Sequence, residues 1–144
     1  MFKVILLSLF ALVVLAQADY DGDYGKLPAA EKAKVLKTSS QCITETGAES
    51  DILEKVSKFE VSRDNEVDRK YLYCFMYNLG YADKNGKLLK DNSIALAPLH
   101  AKTDQLLEVI DECNSEVTGT DVTYVLFDEF VCYHKKSPIY YTVY

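Results

Sequence analysis

An all-α fold is what this sequence predicts: about six short helices around an apolar pocket, stapled by two disulfides. Three observations carry that expectation. Apolar residues recur at helical spacing through most of the chain, and sustained period-two alternation is absent before the tail from Ile139 to Tyr144. Four cysteines, an even number, lie in a 144-residue chain that opens with an export-type leader.

That leader comes first. Lys3 supplies the positive flank, Val4 to Ala16 is an apolar run broken only by Ser8, and Ala16-Gln17-Ala18 is a small-residue cleavage site. A membrane anchor is the rival reading, but the run is thirteen residues long and a spanning helix needs about 20. The expected organisation is therefore a signal peptide over 1–18 and a single domain over 19–144, located in extracellular fluid.

From Asp19 to Lys26 the chain is aperiodic. Pro28 suits a first helical turn, where its missing N–H costs nothing. The first helix runs to Thr46, with Val35, Ser39, Cys42 and Thr46 on one inward stripe, Leu36 and Ile43 beside it, and Gly47 as its stop. A second, Ser50 to Lys58, turns Ile52, Leu53 and Val56 toward a core, with Phe59 at its end. Asp64 is positioned to cap a third helix, whose first turn holds Glu66 and Asp68. That helix aligns Val67, Tyr71, Cys74, Phe75 and Leu79, ends at Gly80, and leads into a tight polar turn at Asp83-Lys84-Asn85-Gly86. A fourth starts near Asp91 and carries Ile94, Leu96 and Ala97 until Pro98 breaks it. The fifth spans Thr103 to Cys113 with Leu106 and Ile110 inward, and Asn114 to Gly119 reads as a loop. The sixth, Asp121 to Tyr133, puts Thr123, Leu126, Phe127 and Phe130 on one face, so that a threonine points inward.

Composition excludes several classes. The net charge is −6 without a basic cluster, so phosphate backbones and anionic lipid surfaces are poor partners, and neither nucleic acid nor membrane insertion is expected. No G-x-S-x-G, H-E-x-x-H or phosphate-binding loop is present, and the scattered carboxylates, Asp111-Glu112 and Asp128-Glu129 among them, read as solvated helix faces. An enzyme is not expected, nor a catalytic residue. Zinc is a weak alternative, because the cysteines form no C-x-x-C and His100 and His134 make no cluster; no metal or cofactor is called for. The cysteines instead read as two disulfides of an exported domain, and spacing alone leaves all three pairings open.

The residues around those cysteines resemble the insect odorant-binding proteins of the pheromone-binding and general odorant-binding group. Members have six cysteines in a helical secreted domain, with three residues between the second and third and eight between the fifth and sixth. Cys42 is similar to the first, Cys74 to the third, Cys113 to the fourth and Cys132 to the sixth. The stretch Cys-Phe-Met-Tyr-Asn-Leu-Gly-Tyr-Ala-Asp-Lys-Asn-Gly-Lys-Leu from Cys74 resembles the segment after the third cysteine, and Val109 to Cys113 the approach to the fourth. Counting by the family's spacing places the two missing cysteines at Lys70 and Thr123, which are disulfide partners in six-cysteine members. The chain thus resembles the four-cysteine "Minus-C" subgroup. The resemblance implies the pairing Cys42 with Cys74 and Cys113 with Cys132, each bridge worth about 3 kcal/mol, and a looser tie between the third and sixth helices.

The same resemblance implies a cavity for a small apolar ligand, such as an odorant, pheromone or fatty acid, with a membrane receptor as a partner at delivery. The expected lining is Tyr71, Phe75, Leu79, Ile94, Leu96, Leu106, Ile110, Leu126, Phe127 and Phe130, although any of these could be plain core. Lys70, placed between inward neighbours, reads either as a lysine with a partly buried stem or as a contact for a ligand carboxylate. The uncharged tail reads as a lid with Ile139 and Tyr141 as its contacts, against the alternative of a frayed end. His134 beside it is a candidate pH trigger, or simply a surface histidine. The rival class is a secreted helical protein that works through protein–protein contacts.

Overall fold

The computed structural model describes residues 29–92 and 103–137. Within them are α1 (Ala29–Thr46), α2 (Ile52–Ser57), α3 (Glu66–Leu79), α4 (Thr103–Glu116) and α5 (Val122–Lys136). The chain is helical again at 90–92, where the first described stretch ends. The expected leader, most of the expected fourth helix with Ile94 and Leu96, and the tail with Ile139 and Tyr141 lie outside the described residues. Among the described residues no helix is long and apolar enough to cross a membrane.

Packing a helix against one neighbour buries one stripe, and α1 shows it. Val35, Ser39 and Cys42 are buried as expected, Thr38 joins them, and Leu36 is 45% exposed. The correction at Leu36 follows from geometry: one residue on from Val35 it lies about 100° round the helix, off the face that meets α3. α2 buries Ile52 and Leu53 and is shorter than expected. It closes with the Phe59 amide donating to Val56 O at 3.1 Å and the Glu60 amide to Lys55 O at 2.7 Å. That pattern needs a left-handed residue, a position glycine usually fills, and here Phe59 occupies it with φ 61°.

The cap of α3 is Asn65, and this corrects the expectation of Asp64. Its side chain accepts hydrogen bonds from the Val67 and Asp68 amides at 2.9 and 3.2 Å, the pairing that satisfies otherwise orphaned N–H groups at a helix start. At the other end Gly80, with φ 80°, takes the left-handed cap. The polar turn that follows belongs to a small hairpin, in which Asp83 Oδ1 accepts from the Asn85 and Lys87 amides and Ala82 pairs with Leu88. Gly86 is obligatory there, because a Cβ would stand 2.8 Å from the Val122 carbonyl oxygen at the start of α5.

α4 runs on to Glu116, into the segment expected as a loop, and α5 starts from Asp121, whose side chain accepts from the Thr123 amide at 2.9 Å. α3 is central, packed on α1 along one side and α5 along the other, while α4 packs on α5. The bridges are Cys42–Cys74, joining α1 to α3, and Cys113–Cys132, joining α4 to α5. No bridge joins α3 to α5.

Candidate functional site

Because α3 faces two helices, it buries two stripes, and the expected lining divides accordingly. Tyr71, Phe75 and Leu79 turn toward α1 and pack with Val35, Cys42, Ile52 and Leu53. Leu106 and Ile110 of α4 meet Leu126 and Phe127 of α5 in a second cluster, with Leu72, Leu88 and Cys113, and half-buried Phe130 packs against it. Val56, Val61 and Met76 touch both clusters. The arrangement is thus two apolar groups meeting at α3, with Tyr71 fixed by a 2.7 Å hydrogen bond between its hydroxyl and Ser39 Oγ. Periodicity found the principal members of both groups but treated them as one wall.

Phe59 is a residue the sequence reading did not place in the site. Its ring stacks on Phe130 at 4.9 Å and on His134 at 3.9 Å between centroids. Left-handed backbone at a bulky residue costs roughly 1–2 kcal/mol, and the two ring contacts offset it at about 0.5–1.5 kcal/mol for an aromatic pair. Partial burial in this stack lowers the His134 imidazole below its ordinary range.

The missing third bridge is where sequence and structure diverge most. Val67 is 37% exposed, and the Lys70 side chain is 54% exposed and ion-paired with Glu66 of its own helix at 2.5 Å. The residue that meets Thr123 is Arg69, itself only 7% exposed. Its Nη1 donates to Arg63 O at 2.6 Å, its Nε lies 3.4 Å from Thr123 Oγ1, and its guanidinium sits 3.8 Å over the Tyr124 ring. Thr123 is half-buried and its hydroxyl donates a hydrogen bond to Asp121 Oδ1 at 2.7 Å, which, with the backbone bond from Thr123, holds the Asp121 carboxyl below its usual range. Arg63 reaches Tyr124 as well, 4.6 Å from the ring centre, and grips Asp128 through Nε and Nη2 at 2.7 and 3.0 Å. An arginine–tyrosine clasp therefore stands between α3 and α5, beside the Thr123 at which the resemblance places one half of the absent bridge.

A second polar locus corrects the reading of Asp128-Glu129 as a solvated pair, since Glu129 is fully buried. Lys87 of the hairpin donates to Glu129 Oε1 at 3.1 Å, to Asn114 O at 2.9 Å and to Val117 O. Asn114 ties the same hairpin down through paired bonds with the Leu88 backbone, both 2.9 Å. Burial pushes the Glu129 carboxyl above its usual range, and Lys87 opposes that rise. All four cysteine sulfurs are committed to bridges, and among the described residues no group of three His, Cys, Asp or Glu could hold a metal ion.

The pattern of the PBP/GOBP family matches residues 25–136. No curated protein matches the chain at a significant level. Solved structures share its fold: odorant-binding protein OBP28a from Drosophila melanogaster, 24% identical with TM-score 0.62, covers 72% of this chain and 89% of its own. The fatty acid binding protein OBP56a from the oral disk of the blowfly Phormia regina is 18% identical with TM-score 0.64, over 77% of this chain and 95% of its own. The medfly odorant-binding protein OBP22/OBP69a is 21% identical with TM-score 0.51, over 73% and 89% respectively.

Proposed function

This chain belongs to the PBP/GOBP family, and from that premise we propose that it is a secreted carrier that encloses a small apolar ligand where α3, α4 and α5 converge. Members of the family are ligand carriers, not enzymes. The observation that bears most weight is the convergence of Leu72, Leu106, Ile110, Leu126 and Phe127 from three helices, of which only α4 and α5 are joined by sulfur. Such a wall can part at the α3–α5 seam while the α4–α5 half stays intact.

Magnitudes are adequate for a carrier. A ten-carbon chain buried at about 0.8 kcal/mol per methylene gains roughly 8 kcal/mol. Association costs several kcal/mol of this, so a polar or aromatic contact is needed to reach about micromolar affinity. One structural neighbour is titled a fatty acid binding protein, and long apolar chains are the ligand class this interior favours. Secretion fits the leader at 1–18 and the two disulfides. Displacement of the fluorescent probe N-phenyl-1-naphthylamine by C10–C16 ligands is the test. Saturable displacement at about micromolar concentration supports the carrier, and no probe uptake favours a protein that works through its outer surface.

A further inference from the structure

Glu129 Oε2 is the one fully buried side-chain polar atom among the described residues that lacks a hydrogen-bond partner. Its sister oxygen takes Lys87, whose three protons are all engaged, by Glu129 Oε1, Asn114 O and Val117 O. Lys87 therefore cannot serve Oε2 as well. Glu129 lies on the inner face of α5 with Val125 and Leu126, which are buried, so water does not reach it from outside. A buried acceptor left unmet is costly, and sites that hold apolar ligands commonly place one convergent polar group to orient them.

We propose that Glu129 Oε2 is the polar anchor of the ligand site and accepts a hydrogen bond from the hydroxyl of a long-chain alcohol, whose tail lies among Leu88, Leu106, Ile110 and Leu126. The inference rests on the carrier reading and narrows it. A carboxylate oxygen paired with lysine only accepts, so esters, ethers and hydrocarbons bring nothing to it. A carboxylate ligand would set like charges together, and an amine cation would meet the Lys87 ammonium. A neutral hydroxyl escapes both penalties.

The experiment compares 1-dodecanol, its methyl ether and dodecanoate as displacers of N-phenyl-1-naphthylamine from wild type and from Glu129→Met, in which Lys87 keeps its two carbonyl acceptors. Wild type should bind the alcohol about tenfold tighter than the ether, with dodecanoate weakest, and Glu129→Met should bring alcohol and ether to parity while still binding the probe. Equal affinities in wild type, as a trapped water on Oε2 would give, overturn the proposal, as does an alcohol preference that survives in the variant. Should Glu129→Met not fold, the wild-type ratio decides alone. Failure of the probe to bind wild type at all sinks the carrier reading, and the anchor with it.

Discussion

Replacing Arg69 with methionine tests whether a noncovalent clasp holds α3 to α5. Methionine keeps most of the buried stem and removes the cation, so the loss is electrostatic. Three interactions disappear: the stack on Tyr124 at 3.8 Å, the charged hydrogen bond to Arg63 O at 2.6 Å, and the 3.4 Å contact with Thr123 Oγ1, which is too long to add much. A partly desolvated cation–π contact is worth about 1–2 kcal/mol, and a hydrogen bond from a charged donor about 1.5–3 kcal/mol. Dehydrating the guanidinium cancels part of that sum, which leaves an expected destabilisation of about 2–3 kcal/mol. Tyr124→Leu alone should cost less, and the double variant should show a coupling energy of about 1–2 kcal/mol, measured by urea unfolding with both disulfides intact. Lys70→Met, which touches only an exposed pair with Glu66, should leave the midpoint unmoved. Additivity of Arg69→Met and Tyr124→Leu within about 0.3 kcal/mol would refute the clasp.

Three further outcomes follow from the same geometry. At the left-handed position 59, Phe59→Gly should be more stable than Phe59→Ala by about 1 kcal/mol in thermal unfolding, because alanine there keeps the backbone strain and loses the ring; the opposite order would show that φ is not strained. His134 has a folded value lowered by burial from the ordinary 6.5, so its contribution is fully present above pH 6.5 and is lost as pH falls through the folded value. His134→Phe, which keeps the stack on Phe59, should therefore lose less stability than wild type between pH 7 and pH 5, and parallel profiles would exclude the histidine as the cause. Removing one bridge, as Cys113→Ser with Cys132→Ser, should cost about 2–4 kcal/mol in urea unfolding by freeing α4 from α5; an unchanged midpoint would mean that apolar packing alone holds that pair.

What the sequence disclosed and what it withheld divide along a physical line. Helix interiors and glycine stops were legible, because periodicity and the left-handed preference at Gly47 and Gly80 are local properties. The cysteine pairing was legible only through the resemblance. Arg69 was missed because a single apolar stripe through Tyr71 and Phe75 describes a helix with one neighbour, whereas α3 has two and buries Arg69 and Leu72 on its second side. Glu129 was misplaced for a related reason: its burial depends on Lys87, forty-two residues away, and no local pattern reports such a pair. Phe59 carries no signal at all, since a bulky residue in a left-handed cap contradicts the usual composition of that position. The errors thus fall on polar and strained groups whose environment is set by tertiary contacts, and these are the groups that tie α3 and α5 together and give the interior its polar points.

The central claim is that an apolar ligand is held inside the α3–α4–α5 convergence. Methyl-resolved NMR of isotopically labelled protein titrated with 1-dodecanol addresses it directly. Saturable shifts at Leu72, Leu106, Ile110 and Leu126, with the exposed Leu36 and Leu89 unmoved, are the expected result. Shifts confined to Leu36 and Leu89, or none that saturate, would contradict it.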